Sequence, residues 1–250
     1  MKNLSEEERK RYSRHLALQE IGPEGQMRIK EGRVLVIGAG GLGSPILMYL
    51  AAAGTGVIGV ADGDIVDISN LQRQVIHTTA DAGKMKAESA RETINALNPN
   101  VRVNLYREYL TTEEAMDVIK EYDFVIDATD NYESKLLIND VCVAAGKPFS
   151  HGAVLRFQGH TFTWQPGHAC YRCMFGAEPP AGEVPSCAQA GLLGTIPGVI
   201  GIIQATEALK YLTGTGRLLT DKLLTFDALT MQFNRITANR NPSCAACGSV

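Results

Sequence analysis

The sequence holds no stretch that reads as a membrane span. Its most apolar window, residues 190–205, falls short of the roughly 20 residues a span needs. It is interrupted by Pro197 and several glycines and runs directly into Glu207 and Lys210, so it reads as a core helix. A secretory leader is also missing, because Glu6, Glu7, Glu8, Arg9, Lys10 and Arg11 make a charged block where a leader needs apolar residues. Nor is there a surplus of positive charge. The 24 Lys and Arg against 27 Asp and Glu leave a net charge of -3, which argues against a surface coated for nucleic acid but not against a local basic pocket. Internal repeats and low-complexity tracts are absent. Six cysteines in a chain of this length, expected to be cytosolic, do not suggest a disulfide framework. The expectation is a cytoplasmic protein with neither membrane nor nucleic acid among its partners.

What is present is an ordinary globular composition, 45% apolar and 20% charged, over a length of 250 residues that buries a substantial core. Ser5 with Glu8 three residues later is a capping-box pattern, and the helix it opens is expected to run to about Gln19. Residues 33–37, rich in β-branched side chains, read as a buried strand, followed at once by a glycine-rich turn and a helix over 44–53. Further strands are expected at 57–61, 101–106 and 124–128, with helices at 84–97 and 112–121. Strands alternating with helices imply a doubly wound, Rossmann-like α/β fold with a mainly parallel sheet. After about Phe149 the pattern changes. Residues 152–164 alternate like antiparallel strands, 176–185 form a Gly/Pro-rich loop, 190–212 a long helix, and 223–227 a strand before a strand-like tail. The whole reads as one domain over 1–250, with a nucleotide-binding part over 1–149 and an antiparallel C-terminal extension over 150–250.

Gly38, Gly40 and Gly43 form a GxGxxG turn between a strand and a helix. Glycines there let the backbone approach a phosphate, and the helix N-terminus offers free N–H groups and positive dipole to the anion. Asp62 ends the second strand, 22 residues beyond Gly40, where a carboxylate reaches ribose hydroxyls. Alone, these residues favour a dinucleotide enzyme. The segment from Asn70 to Gln74, with Arg73, then Lys86, and then Asp130 and Asn131 after the fourth strand, all fall at or beyond carboxyl ends of strands. Two cations and a further carboxylate suit an enzyme that cleaves a triphosphate, and hydride transfer does not need them. The plainer alternative is that Arg73 and Lys86 are solvated charges and Asp130 a turn residue.

Cys170 and Cys173, with Cys244 and Cys247, make two CxxC pairs, together the four thiolates that a closed, structural zinc site uses. Cys142, in a helical pattern with Val141 and Val143, reads as a core residue.

The run GAGGLGS, the spacing to Asp62, SNLQRQ from Ser69 to Gln74 and ATDN from Ala128 to Asn131 resemble the MoeB/ThiF family of ubiquitin-activating-enzyme-like adenylyltransferases. The resemblance extends from RYSRH at Arg11 to CAAC at Cys244. It implies that ATP and Mg2+ are bound and that the C-terminal glycine carboxylate of a small ubiquitin-like sulfur carrier is adenylated. It places Asp62 on the ribose, Gly41 against the nucleotide, Arg73 and Lys86 on the triphosphate, and Asp130 on Mg2+. It implies a homodimer in which Arg14 reaches the phosphates of the second subunit, and a Zn2+ knuckle in the 150–250 part that also receives the carrier's Gly-Gly tail. The stretch from Val154 to Phe157 and the loop after Gly176 are expected walls for that tail. Cys187 is either an acceptor of an acyl group or sulfur species, or an inert cysteine in a loop with no basic neighbour to activate it. Because the sequence ends just after Cys247, sulfur is expected from a separate donor protein, in a thiamine or a molybdopterin pathway. The rival readings are a nicotinamide-dependent oxidoreductase with a zinc knuckle and a non-catalytic nucleotide-sensing scaffold.

Overall fold

A computed structural model describes residues 4–176 and 190–248. Its centre is an eight-stranded sheet in the order β3-β2-β1-β4-β5-β6-β7-β8. The strands are β1 (Arg33–Ile37), β2 (Val57–Ala61), β3 (Arg102–Tyr106), β4 (Phe124–Asp127), β5 (Phe149–Leu155), β6 (Gln158–Trp164), β7 (Lys222–Asp227) and β8 (Gln232–Thr237). Side chains alternate between faces along each strand. Val34 and Val36 of β1 therefore enter one core with Ile46, Leu47, Leu50, Ile94 and Ile200, while Leu35 between them enters the opposite core with Ile119, Ile138, Phe162 and Trp164. The first core lies under α4 (Gly43–Ala53), α5 (Lys86–Leu97) and the long α9 (Thr195–Thr213). The second lies under α6 (Thr112–Lys120), α7 (Tyr132–Ala144) and the short α8 (Tyr171–Phe175). Cys142 of α7 is fully buried in the second core.

Strand order reverses between β1 and β4, which pair in parallel from Val34↔Phe124 to Ile37↔Asp127. Such a switch point opens a crevice at the carboxyl ends of the strands, because the connections from the two strands leave in opposite directions. The parallel part extends one strand further than the sequence pattern suggests. β5 pairs in parallel with β4 (Val125↔Phe149, Asp127↔His151) and antiparallel with β6 (Phe149↔Trp164, Leu155↔Gln158), so it belongs to both halves.

Two N-terminal features differ from expectation. The Ser5 capping box forms, with Ser5 N–H on Glu8 Oε2 at 2.7 Å and Glu8 N–H on Ser5 Oγ at 3.2 Å. The helix does not run to Gln19, however, and breaks at Tyr12 into α1 (Glu6–Arg11) and α2 (Ser13–Leu16). Tyr12 is buried, with its hydroxyl accepting from Asn98 Nδ2 at 2.8 Å and its ring over Gly54, so tertiary packing overrides the local periodicity. A helix α3 (Gly22–Glu31) stands where the sequence suggested none. Gly22 and Gly25 disguise it, while Pro23 in its first turn is a normal helix start. Among the described residues no helix is long and apolar enough to cross a membrane.

Candidate nucleotide site and metal centre

The glycine turn is shaped by close backbone contact. Gly38 has φ +103°, and a Cβ there would lie 2.6 Å from Ala128 O, so β1 and β4 meet at this point only because the residue is glycine. A Cβ on Gly43 would lie 1.9 Å from Gly38 O. Gly43 therefore serves helix–strand packing, and it does not line the cleft as the motif reading suggested. Gly40 and Gly41 do line it. The N–H groups of Gly40, Gly41 and Leu42, at the start of α4, have no hydrogen-bond partner among the described residues. Beneath the turn His77 is buried, linking Ser89 Oγ (2.8 Å) to the Ala39 carbonyl (3.0 Å). Burial pushes its pKa down, so the neutral ring acts as a fixed strut.

Asp62, Arg73, Gln74, Lys86, Asp130 and Asn131 line the same cleft, with Ala128, Leu192 and Pro197 among its other walls. Asp62 accepts the N–H groups of Ala39 (2.7 Å) and Asp64 (2.9 Å), which fixes its carboxylate between the first two strands. Burial pushes its pKa up, against the nearby Lys86 charge and these hydrogen bonds. Lys86 is buried at the start of α5 and holds Asp64 Oδ2 at 2.7 Å, while Tyr109 donates its hydroxyl to Asp64 Oδ1. That last bond, with help from burial, pushes the Tyr109 phenol up to about 12. Among the described residues Arg73 hydrogen-bonds only within its own turn, at Ser69 O (3.4 Å). Gln74 Oε1 is buried without a partner, and the exposed Asp130 carboxylate makes no hydrogen bond or ion pair among the described residues. A pocket with free N–H groups, two cations, an orphaned amide oxygen and an unpaired carboxylate fits a nucleotide polyphosphate with its metal ion.

Two predicted residues stand elsewhere. Asn70 does not line the cleft; its amide donates to Ser69 Oγ at 3.2 Å, and its carbonyl receives the N–H groups of Arg73 and Gln74. Arg14 is exposed on α2 and does not line the cleft of its own chain. Cys187 and most of the 176–185 loop lie outside the described residues.

A buried network below Asp130 escaped the sequence reading. Lys135 Nζ donates to Thr129 O (2.7 Å) and Gly152 O (2.8 Å) and lies 3.3 Å from Asp127 Oδ2. His151 Nδ1 donates to the same carboxylate oxygen at 2.7 Å, and its Nε2 meets His160 Nε2 at 3.4 Å. Burial opposes ionisation of Asp127, yet the Lys135 charge and the His151 bond outweigh it and hold the carboxyl well below the usual range. Burial pushes His151 down to about 4 and His160 to about 3, so both are neutral at pH 7. The available signal was Lys135 four residues after Asn131, the helix N-cap, which turns it under the preceding strand end.

A second cleft adjoins the first and shares Asp130, Asn131, Lys135, Ala153 and Val154 with it. Its far walls are His160, Tyr171, Phe175 and Phe226. Of the stretch from Val154 to Phe157, Val154 lines both clefts, whereas Phe157 sits at the β5–β6 turn outside both.

The four cysteines of the CxxC pairs converge, with all Sγ atoms within 4.8 Å of one another. The Cys170–Cys173, Cys170–Cys244 and Cys173–Cys247 separations are 3.9, 3.6 and 3.4 Å. A tetrahedron with zinc–sulfur bonds of roughly 2.3 Å has edges of about 3.8 Å, so the donor set fits. Asn139 Oδ1 accepts Tyr171 N–H at 2.9 Å, and Asp140 takes Arg172 at 2.7 and 2.6 Å, pinning α8 to α7.

Fold and site together define a Rossmann-like nucleotide-binding α/β protein with a four-cysteine centre. The chain belongs to the ThiF family, whose model matches residues 12–246. It is 48% identical over 250 residues to the sulfur carrier protein adenylyltransferase of Thermus thermophilus, covering 98% of this chain and 92% of the relative. It is 47% identical over 238 residues to the SAMP-activating enzyme E1 of Haloferax volcanii, covering 95% and 88%. The probable adenylyltransferase/sulfurtransferase MoeZ of Mycobacterium tuberculosis is 49% identical over 245 residues, and the chain spans 62% of its length. Among solved structures, E. coli MccB with ATP superposes with a TM-score of 0.83 at 22% identity, covering 96% of this chain and 75% of that one, a likeness of fold.

Proposed function

We propose that the protein adenylates the C-terminal carboxylate of a small ubiquitin-like sulfur-carrier protein with ATP. The observation that carries this reading is the junction of the two clefts at Asp130, Asn131, Lys135, Ala153 and Val154. A nucleotide held by the glycine turn and Asp62 directs its phosphates toward Arg73, Lys86 and Asp130. An extended Gly-Gly tail lying along the second cleft ends at the same place, where the two clefts share their walls. A carboxylate oxygen attacks the α-phosphorus, the bond from that phosphorus to the bridging oxygen breaks, pyrophosphate leaves, and an acyl adenylate remains for a sulfur donor. The chain's residues position and neutralise charge, and no side-chain nucleophile takes part in this step. Asp130, with its unpaired carboxylate, is the residue to hold Mg2+, which supplies charge neutralisation to the triphosphate. Cys170, Cys173, Cys244 and Cys247 hold a structural Zn2+. Arg14, exposed and not part of its own cleft's lining, completes the phosphate site of a second subunit in a homodimer. Sulfur comes from a separate donor protein, and the reaction belongs in the cytoplasm, where thiols stay reduced. The relative named sulfur carrier protein adenylyltransferase and the one named probable adenylyltransferase/sulfurtransferase support this reading.

The test is isotope exchange between ATP and pyrophosphate with and without a Gly-Gly-ended carrier. Exchange that requires the carrier is expected. Saturable NADH binding unaffected by ATP, with no exchange, refutes the reading.

A further inference from the structure

Asp130 stands on a backbone held from both sides, while its own carboxylate is left free. On the N-terminal side, the Thr129 N–H and hydroxyl donate to Asp127 Oδ1 at 3.0 and 2.6 Å, and the Thr129 carbonyl accepts Lys135 Nζ at 2.7 Å. On the C-terminal side, the Asn131 side chain accepts Ser134 N–H at 2.9 Å and starts the helix that carries Lys135. The same ammonium reaches Gly152 O on β5 at 2.8 Å, one residue before Ala153 and Val154, the walls shared by the two clefts.

An ammonium has three N–H donors. Those of Lys135 go to Thr129 O, Gly152 O and the Asp127 carboxylate, so none is left for a phosphate or for a substrate carboxylate, although the residue borders both clefts. A buried ammonium satisfies its donors on whatever acceptors surround it, so what matters is which two carbonyls these are. One belongs to the peptide that aims Asp130, the other to the strand that walls the tail channel. The His151 bond to Asp127 supplies the remaining support for the counter-charge.

We propose that Lys135 is a positioning residue that locks the Thr129–Asp130 peptide to β5, so that one buried ammonium sets both the metal-binding carboxylate and the wall against which the carrier tail lies. This rests on the adenylation reading. Small displacements of positioned groups cost large factors in rate, so the effect is expected in metal and carrier dependence rather than in nucleotide affinity.

The test compares Lys135→Met, Lys135→Arg and Thr129→Val with wild type, using calorimetric ATP binding with and without Mg2+ and carrier-dependent pyrophosphate exchange. Lys135→Met should melt cooperatively and bind ATP without Mg2+ within about twofold of wild type, while its Mg2+ half-saturation and carrier KM each rise about tenfold. Lys135→Arg, which keeps the charge and N–H donors on a larger planar group, should recover part of both. Thr129→Val, which removes only the hydroxyl bond to Asp127, should raise the Mg2+ half-saturation about threefold and keeps the test valid if Lys135→Met does not fold. A folded Lys135→Met with wild-type Mg2+ and carrier dependence overturns the proposal. So does an equal loss of ATP binding with and without Mg2+, the mark of a purely structural lysine, or an unchanged Thr129→Val. Failure of the adenylation reading looks different, because wild type itself then shows no carrier-dependent exchange while Mg2+-dependent ATP binding still reports on Lys135.

Discussion

The glycine turn shows how far one methyl group reaches. In Gly43→Ala the new Cβ would lie 1.9 Å from Gly38 O, so the start of α4 must move away from β1. That substitution is expected to cost about 1–3 kcal/mol in denaturant unfolding and to weaken ATP binding as well. In Gly40→Ala the nearest atom is Gln74 Nε2 at 3.5 Å, an ordinary contact. Stability should change by less than about 1 kcal/mol while ATP affinity falls, because the methyl enters the cleft and not the core. Equilibrium unfolding and nucleotide titration of the two variants separate a packing glycine from a binding glycine. Asp130→Ala and Cys187→Ala form a second contrast. Removing the unpaired carboxylate should abolish carrier-dependent exchange, whereas removing the thiol should leave it near wild type, since the attacking group is the carrier's own carboxylate. Loss of exchange in a folded, ATP-binding Cys187→Ala would contradict that order of events.

At the scale of elements, the cysteine centre joins two parts of the chain 74 residues apart to the second core. Cys170 and Cys247 are buried beside Phe149 and Trp164, and α8 is tied to α7 through Asn139 and Asp140. Cys244→Ser should therefore release zinc and lower the melting temperature by several degrees, with a loss of at least about 2 kcal/mol, since structural zinc sites contribute on the order of 10 kcal/mol in isolated peptides. The nucleotide cleft has none of the four cysteines in its lining and should keep its ATP affinity. Elemental analysis with calorimetry checks both halves. Strand β5 shows the limit of pattern reading at this scale. Residues 152–164 do alternate, but β5 begins at Phe149 and turns the sheet from parallel to antiparallel within itself. Buried parallel and antiparallel strands look alike when both faces are covered.

For the whole molecule, acid should be the revealing condition. His151 and His160 are driven by burial to about 4 and about 3, and His77 is shifted in the same direction. Unfolded histidine titrates near 6.5. Between about pH 6.5 and 4 the unfolded chain binds protons that the folded chain refuses, so stability is complete above that window and declines as pH falls through it. The decline should be on the order of 1 kcal/mol per pH unit for each fully shielded histidine. Denaturant midpoints from pH 7 to 4 measure it, and His160→Gln, which cannot be protonated, should flatten the curve. A stability that is level across that range would mean the imidazoles are not shielded.

Much of this architecture is legible without coordinates. A strand, a glycine turn and a helix follow one another in sequence because their hydrogen bonds span only a few residues, and the phosphate cradle is built from those same local bonds. Asp62 and Asp130 stand just past strand ends and could be singled out for that reason, Arg73 and Lys86 lie further along the same connection and line the same cleft, and the CxxC pairs announce themselves by their spacing. Tertiary structure alone decided that Tyr12 would break the first helix and that Gly43 would pack against the Gly38 carbonyl. It also decided that Lys135 would find Asp127 and the carbonyl of Gly152, and that Gln204 would come to lie against Asp127 O from 77 residues away. Periodicity records which face of an element is apolar, while the partner a buried polar group meets depends on which elements the topology sets side by side.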